Sequence, residues 1–469
     1  MKSWDASLRI VPGVLGATAV MCAVFACSTR DGFRRDEPLF EPPPEGGTTE
    51  PPPPVCGVHC SRDLKEVLDG CEGAETVIAR CNADQGCGEG RCVDACTAAV
   101  LSKGSTGCDF YTVYPDSPGP ARGSCFAAMI ANTWDRPVTI SAELGASALD
   151  ISKSTYLVQH DESGVSYTAL QGPLAPAQVA IVFLSHDELR QSAMAVKCPA
   201  GVTPAVVLDP MRYGTARTSA FRIKTDAPVA AYSIAPYGGA SSFEPTATLL
   251  LPVSSWANNY VAVAPFKFGD GAERLQSDRS LQIVAAEDGT EVSIRPTVDV
   301  EPGAGVAGAL AGRSQTWTLA RGEVLQFLQR SLAGSPIEAT KPIAVFGGAE
   351  CADIPREWGT CDMLQQQIPP FSSWGTEYAV VPFKSRVASL ASSTAREQVP
   401  YSIVGAVDGT KLTYEPSRPR GAPETLDANQ SANFITDEVF VVRSQDSKHP
   451  FHVSVYMTGA SYGGGVPGN

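Results

Sequence analysis

Gly459-Ala460-Ser461-Tyr462-Gly463 fits the Gly-x-Ser-x-Gly pattern of a hydrolase nucleophile. That pattern needs a strand before the serine, a helix after it, and an acid and a histidine placed to activate the hydroxyl. Only six residues, three of them glycine, follow Gly463. The segment therefore reads as a glycine-rich turn. The five histidines, His59, His160, His186, His449 and His452, are scattered and form no pair at helical ligand spacing. His449 and His452 are three apart on an expected strand, which puts them on opposite faces. His160-Asp161-Glu162 reads as a solvated loop, and Glu287 with Asp288 as an exposed turn lacking any apolar wall to raise a carboxyl pKa. No glycine-rich loop joins a strand to a helix as a phosphate cradle would. These residues point to a protein that is not an enzyme, with no metal site and no cofactor.

The cysteines carry a different chemistry. Of 14 in the chain, Cys22 and Cys27 lie in an export-type leader, leaving an even number. Cys56, Cys60, Cys71, Cys81, Cys87, Cys92 and Cys96 crowd a stretch with few large apolar residues, so cross-links must hold it. Seven is odd, and Cys108 is expected to complete the set. Spacings such as Cys56-x3-Cys60 could suit zinc, but only His59 stands near, and export favours disulfides. The pairing of eight cysteines is not readable from spacing. Asp63 to Asp69, with Leu64, Val67 and Leu68 on one side, suggests a short helix. Cys125 and Cys198 are expected to join strands further on. Cys351 and Cys361 would staple a loop containing Asp353, Arg356, Glu357 and Trp358, the best candidate contact surface because loops on a rigid scaffold carry function.

The leader itself has Lys2 and Arg9, then an uncharged, mostly apolar run from Val11 to Ala26, as a signal peptide does. It ends at Val24-Phe25-Ala26-Cys27-Ser28, which resembles a bacterial lipobox and would make Cys27 the lipidated first residue. Ser28 after it would suit outer-membrane sorting in a Gram-negative bacterium; simple secretion is the alternative. Residues 28–55 hold Pro38, Pro42 to Pro44 and Pro51 to Pro54 among Glu, Gly and Thr, the composition of an extended tether. The expected division is 1–26 signal, 27–55 lipidated tether, 56–107 disulfide-rich module and 108–469 β-repeat domain.

With a formal charge of −14 and no basic face, the chain is unsuited to nucleic acid. From about residue 108 it is a text of short β runs broken by turn residues. Two passages nearly repeat: Leu251-Pro252-Val253-Ser254-Ser255-Trp256 to Tyr260, and Ile368-Pro369-Pro370-Phe371-Ser372-Ser373-Trp374 to Tyr378. Ile283 to Ile294 and Ser402 to Tyr414 read as copies of one hairpin, turning at Asp288-Gly289 and Asp408-Gly409. Arg222 to Tyr232, Pro336 to Phe346 and Val442 to Val455 read as a second recurrent hairpin, with Pro228, Pro342 and Pro450 leading its second strand. Such self-similarity marks a repeat protein whose units bury their faces against one another. The units span about 126–267, 279–384 and 401–469, the last incomplete, in repeats of about 108–120 residues. Phe110 to Pro115 resembles a unit's final strand, which favours a propeller-like ring closed by a permuted strand; tandem β-sandwiches are the alternative. Trp256 and Trp374, at matching positions, are expected in the core between sheets rather than as exposed platforms.

Pro342-Ile343-Ala344-Val345-Phe346-Gly347-Gly348-Ala349-Glu350-Cys351-Ala352, then Cys361-Asp362 and the Gln367-to-Tyr378 stretch, resemble the N-terminal domain of IgGFc-binding proteins. The resemblance spans about residues 108–469, and the cysteine module and lipobox are similar to bacterial lipoprotein members. It implies binding without naming what is bound. The expectation is a lipid-anchored, surface-displayed, non-catalytic repeat protein that binds a protein or glycan partner. A structural spacer or matrix component is the alternative, and a secreted hydrolase the last.

Overall fold

The computed structural model describes residues 56–71, 73–116, 121–161, 164–189, 195–239, 245–264, 279–352, 354, 362–385 and 396–459. The expected signal peptide, Cys27 and the tether fall outside the described residues.

The cysteine module comprises β1 (Cys56–Cys60), β2 (Glu66–Cys71), β3 (Thr76–Arg80), β4 (Gln85–Gly88), β5 (Arg91–Asp94) and helix α1 (Ala95–Ser102). Disulfides Cys56–Cys71, Cys60–Cys87, Cys81–Cys92 and Cys96–Cys108 stitch it together. The expected helix over 63–69 is absent, because Cys56 pairs with Cys71 across antiparallel β1 and β2, drawing that segment into a strand. The helix that does form starts at Asp94, whose carboxylate accepts from Thr97 N at 2.9 Å as an N-cap. The module is not a free bead. Leu64 and Ala95 share the core of the next unit with Trp134, whose indole N–H donates to Ala83 O at 2.9 Å.

The first unit contains β6 (Gly107–Thr112), β7 (Phe126–Ala131), β8 (Ile140–Leu144), β9 (Ser147–Leu149), β10 (Thr155–Asp161), β11 (Gly164–Ala169), β12 (Val179–Ser185), β14 (Phe221–Ala235) and β15 (Thr246–Leu250), while β13 (Ala216–Ser219), between β12 and β14 in sequence, pairs with a strand of the second unit's sheet. The second has β16 (Ala257–Val261), β17 (Arg279–Ala285), β18 (Thr290–Ile294), β19 (Gln315–Leu319), β20 (Glu323–Gln329), β21 (Pro336–Ala352) and β22 (Asp362–Ile368). The third has β23 (Glu377–Val380), β24 (Val399–Gly405), β25 (Thr410–Glu415), β26 (Thr425–Leu426), β27 (Ser431–Thr436), β28 (Phe440–Ser444) and β29 (Phe451–Val455).

Each unit is a curled pair of sheets around one core, and three sequence expectations are corrected by how the chain travels between them. Arg222 to Tyr232 and Pro336 to Phe346 are not hairpins. Each lies in one long strand that starts in one sheet and ends in the other: β14 pairs with β6 and β8 through its first half, and with β7 and β15 through its second. Strand β21 does the same with β16 and β18, then β17 and β22. In the third unit the chain breaks at this corner, so β28 pairs with β23 and β25 while β29 pairs with β24. The Asp-Gly turns are not hairpins either. Strand β17 pairs with β20 and β21, and β18 with β19 and β21, so Gly289 (φ 66°) carries the chain across from one sheet to the other.

The ring expectation fails at its permuted strand. Strand β6 pairs with β14 in the first unit rather than with the third. It occupies the place that β16 takes beside β21 and β23 beside β28. Every unit thus receives its edge strand from the segment just before it, and Trp256 and Trp374 introduce the unit that follows them.

The units also share cores. Val284, Val324, Ala344, Phe346 and Met363 face the first unit and join its cluster, while Ile283, Leu325, Ile343 and Val345, on the opposite face of the same strands, fill the second unit's own core. A sheet buried on both faces explains why these strands read as continuous apolar runs. Strand β24 repeats the device: Tyr401 and Ile403 point into the third core, Val404 into the second.

Candidate functional site

The expected contact loop stands on the end of β21 and the start of β22, where Ala352 pairs with Asp362. Cys351 is disulfide-bonded. Cys361, Asp353, Arg356, Glu357 and Trp358 lie outside the described residues, as does Ser461. The base of the loop is well defined. Ala349, Ala352 and Ile354 pack with Leu364 of the second unit and with Ile435 and Tyr456 of the third, and Gly459 N donates to Ile354 O at 2.7 Å. From the first unit, Arg122 approaches Glu350 at 3.7 Å while its guanidinium lies 4.1 Å over the ring of Tyr213. Tyr213 donates its hydroxyl to Asp209 Oδ2 at 2.5 Å, and burial pushes its pKa up. Three units therefore meet around Glu350, Ala352 and Ile354.

Among the described residues the histidines and turn aspartates have the following surroundings. His452 lies 3.3 Å from Ser454 Oγ through Nδ1, a serine–histidine pair, with its ring 5.1 Å from that of Trp374. Burial pulls its pKa to about 4. His449 Nδ1 meets Asp446 Oδ1 at 2.6 Å on the exposed 446–449 turn. His186 is buried and its pKa falls for that reason. His59 Nδ1 lies 2.8 Å from Gly57 O, and His160 sits on β10. Asp288 accepts from Arg321 N at 2.9 Å and Asp408 from Ala428 N at 2.9 Å, so both bind neighbouring loops. Among the described residues no group of three His, Cys, Asp or Glu side chains could hold a metal ion.

The two tryptophan passages build the same joint twice. Trp256 and Trp374 are buried, their indole N–H groups donating to Leu251 O at 3.0 Å and Pro369 O at 3.4 Å. Four residues on, Tyr260 and Tyr378 donate to Ile343 O and Phe451 O, both at 2.7 Å. Each hydroxyl also accepts a backbone N–H, from Ala257 at 3.3 Å and Gly375 at 2.9 Å. The matching sequence spacing is thus one weld, locking an incoming edge strand to the corner of the unit it completes.

Sequence reasoning missed a polar core. Gln365 donates to Gln282 Oε1 at 2.6 Å, Gln282 to Gln326 Oε1 at 2.7 Å, and Gln326 to Asp116 Oδ2 at 3.0 Å. Gln282 and Gln365 also donate to Tyr114 O and Val113 O, which pins the segment after β6 against the second unit. Gly348 lies between β17 and β22 at this level. A Cβ there would meet Leu364 O at 2.3 Å and Ser280 Oγ at 2.7 Å, so the close strand approach requires glycine. The available signal was a glutamine recurring inside otherwise apolar runs, as in Leu281-Gln282-Ile283 and Leu325-Gln326-Phe327.

Residues 246–469 match the family model described as IgGFc binding protein. The matched region begins at β15 and takes in the second and third units, including both welds and the loop. The chain is also 33% identical over 171 residues, or 36% of its length, to the IgGFc-binding protein of Homo sapiens. It spans 3% of that protein's length. No solved structure matches. These findings support the family resemblance across the matched region, and the five disulfides among the described residues fit an oxidising, extracellular setting. Among those residues no helix is long and apolar enough to cross a membrane.

Proposed function

We propose that this chain is a non-catalytic binding protein, displayed outside the cell on a lipid carried by Cys27, whose interlocked β-units hold loops rigidly for a protein or glycan partner. One observation carries the reading. The match over 246–469 is to a family whose name states binding to the Fc part of immunoglobulin G, and among the described residues His449, Asp288 and Asp408 have structural partners. The Pro-rich tether would hold the units away from an outer membrane, and the loop between Cys351 and Cys361, whose base adjoins all three units, would meet the partner.

The test is a protein and glycan array, including immobilised IgG Fc, probed with residues 56–469. Saturable binding weakened at least tenfold by replacing Arg356, Glu357 and Trp358 with Ala supports the reading. Failure to bind any array member, or turnover of esterase or peptidase substrates abolished by Ser461→Ala, would count against it.

A further inference from the structure

We infer that the cysteine module is a tension-bearing joint, which passes load from the tether into the β-units without lengthening. The inference rests on the display reading above, in which the tether enters the module at Cys56, and adds a mechanical role to it.

Cross-links rather than a core hold the module. Its buried apolar side chains are Leu64, Val67, Ala95, Ala98 and Ala99 beside Cys87, and every residue of β3 is exposed. A sheet with so little buried area opens easily when hydrogen bonds alone hold it. The bridges remove that weakness by their order along the chain. Cys56–Cys71, Cys60–Cys87 and Cys81–Cys92 overlap, so every residue from Cys56 to Cys92 lies inside a closed ring. Cys96–Cys108 closes the next ring, and only the step from Cys92 to Cys96 lies outside one.

Two covalent routes lead from Cys56 to Cys96. One follows the chain to Cys60, crosses to Cys87 and follows the chain on. The other crosses to Cys71, follows the chain to Cys81 and crosses to Cys92. Both then cross to Cys108. Either route leaves about 13–14 residues free to extend, roughly 45–50 Å, against roughly 180 Å for the open segment.

The shared bridge ends inside a strand that is firmly held. Cys108 lies in β6, which pairs with β14 from Gly107 to Thr112. Phe110, Tyr111, Thr112, Val113 and Tyr114 are all buried, and Asp109 accepts from Arg222 Nε at 2.8 Å. The carbonyls of Val113 and Tyr114 are bound by Gln365 and Gln282, so the second unit grips the same segment. The module's exit is braced as well. Lys103 Nζ donates to Ser254 O at 2.8 Å, and Ser255 Oγ to Gly104 O at 2.6 Å. Load leaving the bridge at Cys108 is therefore shared by two units.

The experiment holds the chain from Ser28 to Asn469 by its ends in optical tweezers and records extension as the force rises. In the parent the module should give no step before the β-units yield. Replacing Cys96 and Cys108 with Ser opens the shared bridge. It should add an early step of roughly 40 Å, the extended length of the 12 residues it frees. Replacing Cys60 and Cys87 with Ser removes one of two parallel routes and should add almost nothing. Three results would overturn the inference: a module step in the parent, no early step when the shared bridge is opened, or equal lengthening in the two variants. Array binding by a parent whose module lengthens would sink the joint and leave the binding reading intact; a joint that holds in a chain that binds nothing would sink only the binding.

Discussion

Gln282 donates its side-chain amide to Gln326 Oε1 at 2.7 Å, and both side chains are wholly buried. A buried amide is tolerated only when its partners are present, and here they come from two units at once. Gln326 Nε2 lies within hydrogen-bond distance of Asp116 Oδ2, Arg212 O and Gly214 O, all in the first unit. Gln326→Met keeps the volume and strips the partners. It should destabilise by roughly 2–4 kcal/mol, the cost of orphaning one or two buried polar groups. Urea unfolding should show one transition at lower midpoint; two transitions would mean that the units fold independently.

His452 gives a pH prediction. Its pKa falls through burial from 6.5 unfolded to about 4 folded. At pH 7 the ring is neutral in both states. As the pH drops from about 6.5 to about 4 the unfolded chain takes up a proton that the folded chain refuses, so stability falls across that window and levels off below it. The loss is at most about 3 kcal/mol. In His452→Gln the difference in urea midpoint between pH 7 and pH 4.5 should shrink; an unchanged difference would show that this ring does not drive it.

Gly322 tests the contact between the first two units. It sits at φ +73°, and an added Cβ would lie 2.5 Å from Gly145 O. Ala220 N donates to its carbonyl at 2.9 Å, so the loop cannot simply withdraw. Gly322→Ala should cost more than the roughly 1 kcal/mol of a left-handed alanine alone. A thermal midpoint within a degree of the parent would show that the two loops part easily.

Cys125–Cys198 ties β7 to the loop after β12 across a sequence separation of 73 residues. Replacing both with Ser should cost about 2–5 kcal/mol, chiefly by freeing the unfolded chain. Differential scanning calorimetry should show the transition falling as a whole rather than splitting.

Much of this was legible in the sequence because it is written in local chemistry. Cysteine crowding marked the cross-linked module, the tryptophan passages marked the repeat, and their spacing placed Trp256 and Trp374 in the core. What misled were signals whose meaning depends on distant partners. Asp288-Gly289 specifies a tight reversal but not whether its flanking strands pair, and here they join different sheets. Pro228 and Pro342 suggested a break where one strand bends across a corner. Leu64, Val67 and Leu68 had helical spacing that the Cys56–Cys71 bond overrode. Gln282, Gln326 and Gln365 read as surface residues, since nothing local reveals that a second unit covers them.

The central claim is that each unit is completed by the strand just before it, the first unit by β6. The most direct measurement is native-state hydrogen exchange on the chain lacking residues 107–116. Protection should fall in β14, which loses β6 as its ladder partner, and in β17, β20 and β22, which lose Tyr114 O, Asp116 and Val113 O as partners. Strands β24, β25 and β28 should keep theirs. Loss of protection in residues 401–455 with the first unit intact would contradict the account and restore the ring.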